Sequence, residues 1–513
     1  MHRLALAVAV LTVTPLAAQT LPQDNPVLRA MWAEGMTERS QAARLAHVLM
    51  DSIGPRLNGS PGYTAASDWL QRLYAEWGIT VRREEYGTWR GWRGGHASLT
   101  LTSPRVQNLD ATILAWSPGA AGPIEAEVAH VPELTDQVSA NAWIGTVRGK
   151  IVLLGPSEMS CREPQSVERL ATPETYAQLG AERTRRQRAF AASAQALGGG
   201  QRLHARLEEA GAVAVFQSQW SQGWGVNKVF AANTQRVPSL DLSCEDYGLL
   251  HRMASSGWAP RVRMVAEAED LGTVPAFNVI GEIRGRELPN EYVLLSAHLD
   301  SWAGATGATD NGTGTITMLE AMRILRATYP NPRRTILVGH WGGEEQGLIG
   351  SRAFTEDHPD IVTNLQAVFN QDNGTWRIDY IQAQGLSAAG AHLQRWVGAI
   401  PTEISRHITL DLPGPQELGG SDHVSFLCHG APGWRLQSHY PDYRQYTWHT
   451  DRDTYDKIIF DDLKNNATLA AMLAYMASED PERVPRDRAV LPVNPQTGQP
   501  RPWIACNPAR RRF

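Results

Sequence analysis

Apolar residues change rhythm three times along the chain. Over residues 38–50 and 63–77 they recur at helical spacing, and the stretch between, Gly54-Pro55-Arg56-Leu57-Asn58-Gly59-Ser60-Pro61-Gly62, is dense in turn formers. A β-rich stretch follows, clearest over 96–101. Between 104 and 271, short apolar runs at 150–154, 212–216 and 237–242 read as strands separated by loops. A polar, Arg- and Ala-rich helix is expected there over 173–197, stopped by Gly198-Gly199-Gly200. From 274 the rhythm becomes strand, loop, helix: strands over 292–297, 335–340, 367–371 and 434–437, helices over 313–327, 387–399 and 461–477. This alternation predicts an α/β class with a central sheet flanked by helices. Functional residues in such sheets gather beyond the carboxyl ends of the strands.

Five segments are therefore expected. Residues 1–18 (MHRLALAVAVLTVTPLAA) carry a basic start, a short apolar run and small residues, the pattern of a cleaved signal peptide. That run is too short for a membrane span of about 20 residues. The reading is a secreted or periplasmic protein with no stable span. Residues 19–103 and 272–484 form the catalytic domain, 104–271 an inserted β-rich unit, and 485–513 a Pro-rich irregular wrap or tail ending in a solvated Arg510-Arg511-Arg512. A net charge of −5 gives no basic footprint for nucleic acid. The four cysteines allow three pairings in an oxidising compartment. Domain layout favours Cys161–Cys244 and Cys428–Cys506.

Candidate chemistry falls at the predicted strand ends. Five segments each offer a metal-compatible side chain: Ala297-His298-Leu299-Asp300, Thr309-Asp310-Asn311-Gly312, Gly343-Glu344-Glu345-Gln346-Gly347, Asn370-Gln371-Asp372-Asn373-Gly374 and Trp448-His449-Thr450. Singly, each is weak. Together, two imidazoles and three carboxylates suit zinc, and Asp310, in a Gly-rich loop before a helix, is the natural bridge between two ions. Cobalt or manganese also suits so carboxylate-rich a set. In the loop after a strand, Glu344 and Glu345 can both face the site, one ligating and the other moving protons.

In this order the segments resemble the co-catalytic zinc exopeptidases, the group of secreted aminopeptidases, glutamate carboxypeptidases and carboxypeptidase Q. The resemblance spans about residues 40–79 and 274–479. It implies two zinc ions on His298, Asp310, Glu345, Asp372 and His449, Glu344 as general base, and a water attacking the peptide carbonyl between the metals. Asp300 is expected to orient the His298 imidazole, and Asp453 to do similar work for the His449 loop. Asp422 and His423, in Ser421-Asp422-His423-Val424-Ser425-Phe426, resemble the family's substrate-side loop. The runs His298-Leu299-Asp300-Ser301-Trp302 and Glu344-Glu345-Gln346-Gly347 resemble the carboxypeptidase Q branch and favour a dipeptidase over an aminopeptidase. Arg148-Gly149-Lys150-Ile151-Val152-Leu153-Leu154 and the run from Leu207 resemble a protease-associated (PA) lid domain.

The expected partners are short peptides, and a homodimer is compatible with the sequence. Arg406, Arg435 and Arg444 are the candidates for holding a terminal carboxylate. The alternatives are a one-zinc glutaminyl cyclase of the same fold and a secreted binding protein that has lost catalysis. An intact ligand set argues against both.

Overall fold

A computed structural model describes residues 25–513; the expected signal peptide lies outside them. The larger part of the sheet runs in the spatial order Thr409–Asp411, Tyr380–Gln382, Gly433–Gln437, Leu365–Gln371, Leu288–His298, Arg334–Trp341 and Arg261–Ile283. Its four central strands, Gly433–Gln437 to Arg334–Trp341, pair in parallel, and Arg261–Ile283 closes that side antiparallel. Arg334–Trp341 and Leu365–Gln371 are buried throughout, as a parallel sheet covered on both faces requires. Helices Pro26–Gly35, Thr313–Thr328 and Phe460–Glu479 pack together and close one face. Trp341, Phe354 and Phe426 pack on the other. The sheet is mixed and flanked by helices, as the sequence predicts.

A long antiparallel ribbon, Thr80–Ser103 against Arg261–Ile283, leads out of this sheet into the middle of the chain. There Ile124–His130, Ile151–Leu153, Ala214–Gln217 and Ser239–Leu242 continue in parallel, and Ala111–Ile113 adds an antiparallel edge. The expectation of a β-rich unit needs correction. Helices Gln137–Ile144, Pro164–Leu170, Pro173–Ala196, Gly200–Ala210 and Cys244–Ser255 outweigh the three- to seven-residue strands. Parallel neighbours cannot be joined by tight hairpins, so each connection must cross over, and helices make the crossings.

Both disulfides pair as the layout favours, with Cα separations of 5.8 Å for Cys161–Cys244 and 5.1 Å for Cys428–Cys506. The C-terminal stretch is irregular, yet its arginines are not simply solvated. Arg511 pairs with Glu356 and Asp357, and its carbonyl accepts from the Thr88 amide. Arg510 lies 5.0 Å from the Trp89 ring centre, and Phe513 packs edge-on to the same ring. Burying those stems and pairing those charges overrides the solvation that a short basic run suggests. No helix among the described residues is long and apolar enough to cross a membrane.

Candidate metal centre

His298, Asp372 and the Glu344-Glu345 pair sit where strands stop, whereas Asp310 and His449 sit in turns. His298 is the last residue of Leu288–His298, Asp372 directly follows Leu365–Gln371, and the two glutamates follow Arg334–Trp341. Asp310 lies in the turn Ala308–Gly312 that enters helix Thr313–Thr328. Asn311 braces that turn: its amide donates to the Gln371 carbonyl (2.9 Å) and its oxygen accepts from the Gly314 amide (3.1 Å). The triplets Asn311-Gly312-Thr313 and Asn466-Ala467-Thr468 match a glycosylation pattern, but both asparagines are fully buried and leave no surface for a sugar.

The two imidazoles converge on one carboxylate. His298 Nε2 is 3.4 Å from Asp310 Oδ1, and His449 Nε2 is 3.2 Å from Asp310 Oδ2. On the first side His298 Nε2 also lies 3.3 Å from Asp372 Oδ1. On the second, His449 Nε2 lies 2.9 Å from Glu345 Oε2. Glu344 offers a carboxylate oxygen beside His298 and Asp372, the ligand atoms of that trio lying within 4.8 Å of one another. Asp310, Glu345 and His449 form a second trio on the same criterion.

Charge in this pocket is poorly compensated by protein alone. Burial drives Glu344 well above the usual carboxylate range, and burial with Asp310 alongside brings Glu345 to about 7. Burial would lower both imidazoles, but the neighbouring carboxylates outweigh it: His449 rises to about 9 and His298 well above its ordinary value. Burial would likewise raise Asp310, yet the two imidazoles pull it far down. Glu345 Oε1 and both Asp422 oxygens are buried with no hydrogen-bond partner. Desolvated carboxylates are tolerated when paired or bound to metal. Two imidazoles and two carboxylates about a third, shared carboxylate make a donor set that suits zinc.

The supports differ from expectation in detail. His298 Nδ1 bonds the main-chain carbonyl of Asp300 (3.0 Å), while the Asp300 carboxylate lies 3.6 Å away. That carboxylate instead accepts the amides of Glu344 (3.2 Å) and Glu345 (3.3 Å), because the strand end turns its side chain toward the neighbouring loop. Asp453 does not bond the His449 imidazole, whose Nδ1 has no partner. The two Asp453 oxygens accept the Thr309 and Asp310 amides at 2.8 and 3.0 Å and so fix the Asp310 loop. The substrate-side pair also divides. Asp422 is fully buried with its charge acting on Glu344 and His298, whereas His423 places Nε2 2.5 Å from Glu417. Of the three arginines, Arg435 is close enough for its charge to be felt with those of Asp372 and Glu344; Arg406 and Arg444 are exposed.

Three further residues support the ligands, and of these only Trp302, in the run His298-Leu299-Asp300-Ser301-Trp302, carries a sequence signal. Arg56, fully buried in the turn-rich loop, donates to the carbonyls of Leu299, Gly54, Thr306 and Gly307, tying the His298 and Asp310 loops together. Trp302 donates from its indole to Glu345 Oε2 (2.9 Å). Lys228, from the middle of the chain, donates to the carbonyls of Trp448 (2.8 Å) and Arg444 (3.1 Å), and the Val229 amide bonds the His449 carbonyl (2.8 Å). His449 has φ of 57°, a left-handed backbone that a non-glycine residue keeps only when its surroundings impose it.

Residues 278–474 match the sequence model of Peptidase family M28. Carboxypeptidase Q of Mus musculus is 26% identical over 443 residues, an alignment covering 86% of each chain. A solved peptidase M28 precursor from Shewanella amazonensis shares the fold with a TM-score of 0.65 at 23% identity, over 90% of this chain and 97% of that one. BSAP, a zinc aminopeptidase from Bacillus subtilis, shares it with a TM-score of 0.56 at 18% identity, over 87% of this chain and 97% of its own.

Proposed function

We propose that the chain, whose residues 278–474 match peptidase family M28, is a two-zinc metallo-exopeptidase that hydrolyses the terminal bond of short peptides, with a carboxypeptidase Q-like preference for dipeptides. His298 and Asp372 would hold one ion, Glu345 and His449 the other, and Asp310 both. The observation that carries this reading is the approach of the two imidazole Nε2 atoms to the two oxygens of Asp310. Zinc held there would polarise a carbonyl as a Lewis acid and would lower the pKa of water toward neutrality.

The protein's part is positioning and proton transfer. Glu344, raised by burial, is suited to take a proton from the attacking water and return it to the leaving amine. Its main chain is fixed by Asp300, and Glu345 is fixed by Trp302. Burial around Asp310 and His298 keeps other water out, which strengthens each electrostatic contact. Residues 104–271 act as a PA-like lid whose 227–229 segment steadies His449, and residues 1–18 direct export. Glu344→Gln tests the assignment: zinc content should stay at wild-type level while hydrolysis falls by about 100-fold or more. Wild-type turnover in a zinc-loaded Glu344→Gln enzyme removes Glu344 as the base.

A further inference from the structure

Arg435 is the middle residue of a central strand, Gly433–Gln437, and pairs in register with Asn370 of the strand that Asp372 directly follows. Its side chain is 17% exposed and its Nε is buried without a hydrogen-bond partner. The nearest acid, Glu417, lies 3.9 Å from Nη1, beyond hydrogen-bond reach. Glu417 is already engaged: its Oε1 accepts from Gln437 (3.2 Å) and its Oε2 faces His423 at 2.5 Å. A guanidinium carries five donors, and leaving them unmade in a desolvated place is costly. Nor is this fork hidden behind bulk, because a glycine stands beside it: a Cβ at Gly420, whose φ is 93°, would lie 3.5 Å from Nη1.

The guanidinium also lies where Asp372 and Glu344 are felt, on the side of the proposed centre that holds the base. Once cations neutralise those acids, Arg435 is left as a fixed positive fork at the edge of the reaction site. A planar fork of this kind matches a carboxylate with two parallel hydrogen bonds. It repels an ammonium group, and Asp422 is fully buried and presents no oxygen to one. Resting on the exopeptidase reading, we propose that Arg435 is a specificity-determining residue that grips the free α-carboxylate of the substrate, so that short peptides with an unblocked C-terminus are the preferred class.

Binding and turnover together test this. In zinc-loaded Glu344→Gln protein, alanyl-alanine should bind at least about tenfold more tightly than alanyl-alaninamide. Adding Arg435→Ala should bring the acid down to the affinity of the amide, with the amide unchanged; Arg435→Gln, close in shape, should do the same if the alanine variant folds poorly. Arg435→Lys should restore part of the preference. In the otherwise wild-type enzyme, Arg435→Ala should raise KM for the acid far more than it lowers kcat. Equal binding of acid and amide, or an equal loss of both on substitution, overturns the proposal. Failure of the parent reading looks different: wild-type protein would hydrolyse neither peptide, while an acid preference that vanishes with Arg435 would still mark it as the carboxylate anchor.

Discussion

Asp453→Asn isolates the support of the bridging carboxylate from the carboxylate itself. Asp453 is buried and accepts the Thr309 amide on one oxygen and the Asp310 amide on the other, at 2.8 and 3.0 Å. Asparagine keeps the shape and one acceptor but turns an NH2 toward the second amide, so one hydrogen bond to a charged group is lost and two donors face each other. Such a bond contributes about 1.5–3 kcal/mol, and the opposed donor adds to the loss. The Asp453 main-chain carbonyl still accepts from Ala308 and Thr306, so the loop stays attached while Asp310 loses its aim. Supporting residues of this kind change metal affinity by about 10- to 100-fold. The assay is zinc competition against a chromophoric chelator, read beside thermal unfolding. Asp456→Asn, an exposed change nearby, is the control. Zinc affinity within twofold of wild type, with an unchanged melting temperature, would refute the claim that Asp453 fixes the Asp310 loop.

Three further outcomes follow from other parts of the molecule. Cys506→Ser opens a link between residues 78 apart and frees the stretch that packs Phe513 on Trp89; unfolding in denaturant should show a loss of about 2–4 kcal/mol. Lys228→Met keeps the aliphatic stem but removes two bonds to carbonyls beside His449, so zinc affinity should fall by about tenfold with little change in melting temperature; unchanged affinity would separate the middle segment from the metal centre. His358 is raised by its bond to Glu84, 3.1 Å away, which stabilises the fold below the imidazole's unfolded value and is lost as pH rises through the folded one. His358→Gln should therefore cost about 0.5–1 kcal/mol near pH 5.5 and much less near pH 9, in paired unfolding curves at the two pH values.

The catalytic lobe was largely legible because its signals are local. Apolar runs at 292–297, 335–340 and 367–371 are buried strands, and the metal-compatible residues stand at their ends. Helices Gly200–Ala210 and Cys244–Ser255 were missed because their apolar stripes are narrow, Leu203 and Leu207 in the first, within otherwise polar stretches. The braces were illegible for another reason. Arg56 meets its main carbonyl partners more than 240 residues away and Asp453 meets Asp310 across 143, so neither carries a spacing to read. Asp300 and His423 show the same limit: the sequence placed them near the site, but which neighbour each faces depends on how a loop turns.

Metal stoichiometry against activity tests the central claim most directly. Protein stripped by a chelator and titrated with zinc should regain dipeptide hydrolysis only as the second equivalent binds, because the proposal gives each imidazole a different ion across Asp310. Full activity at one equivalent, or cyclisation of an N-terminal glutamine peptide without hydrolysis, would contradict the two-zinc exopeptidase.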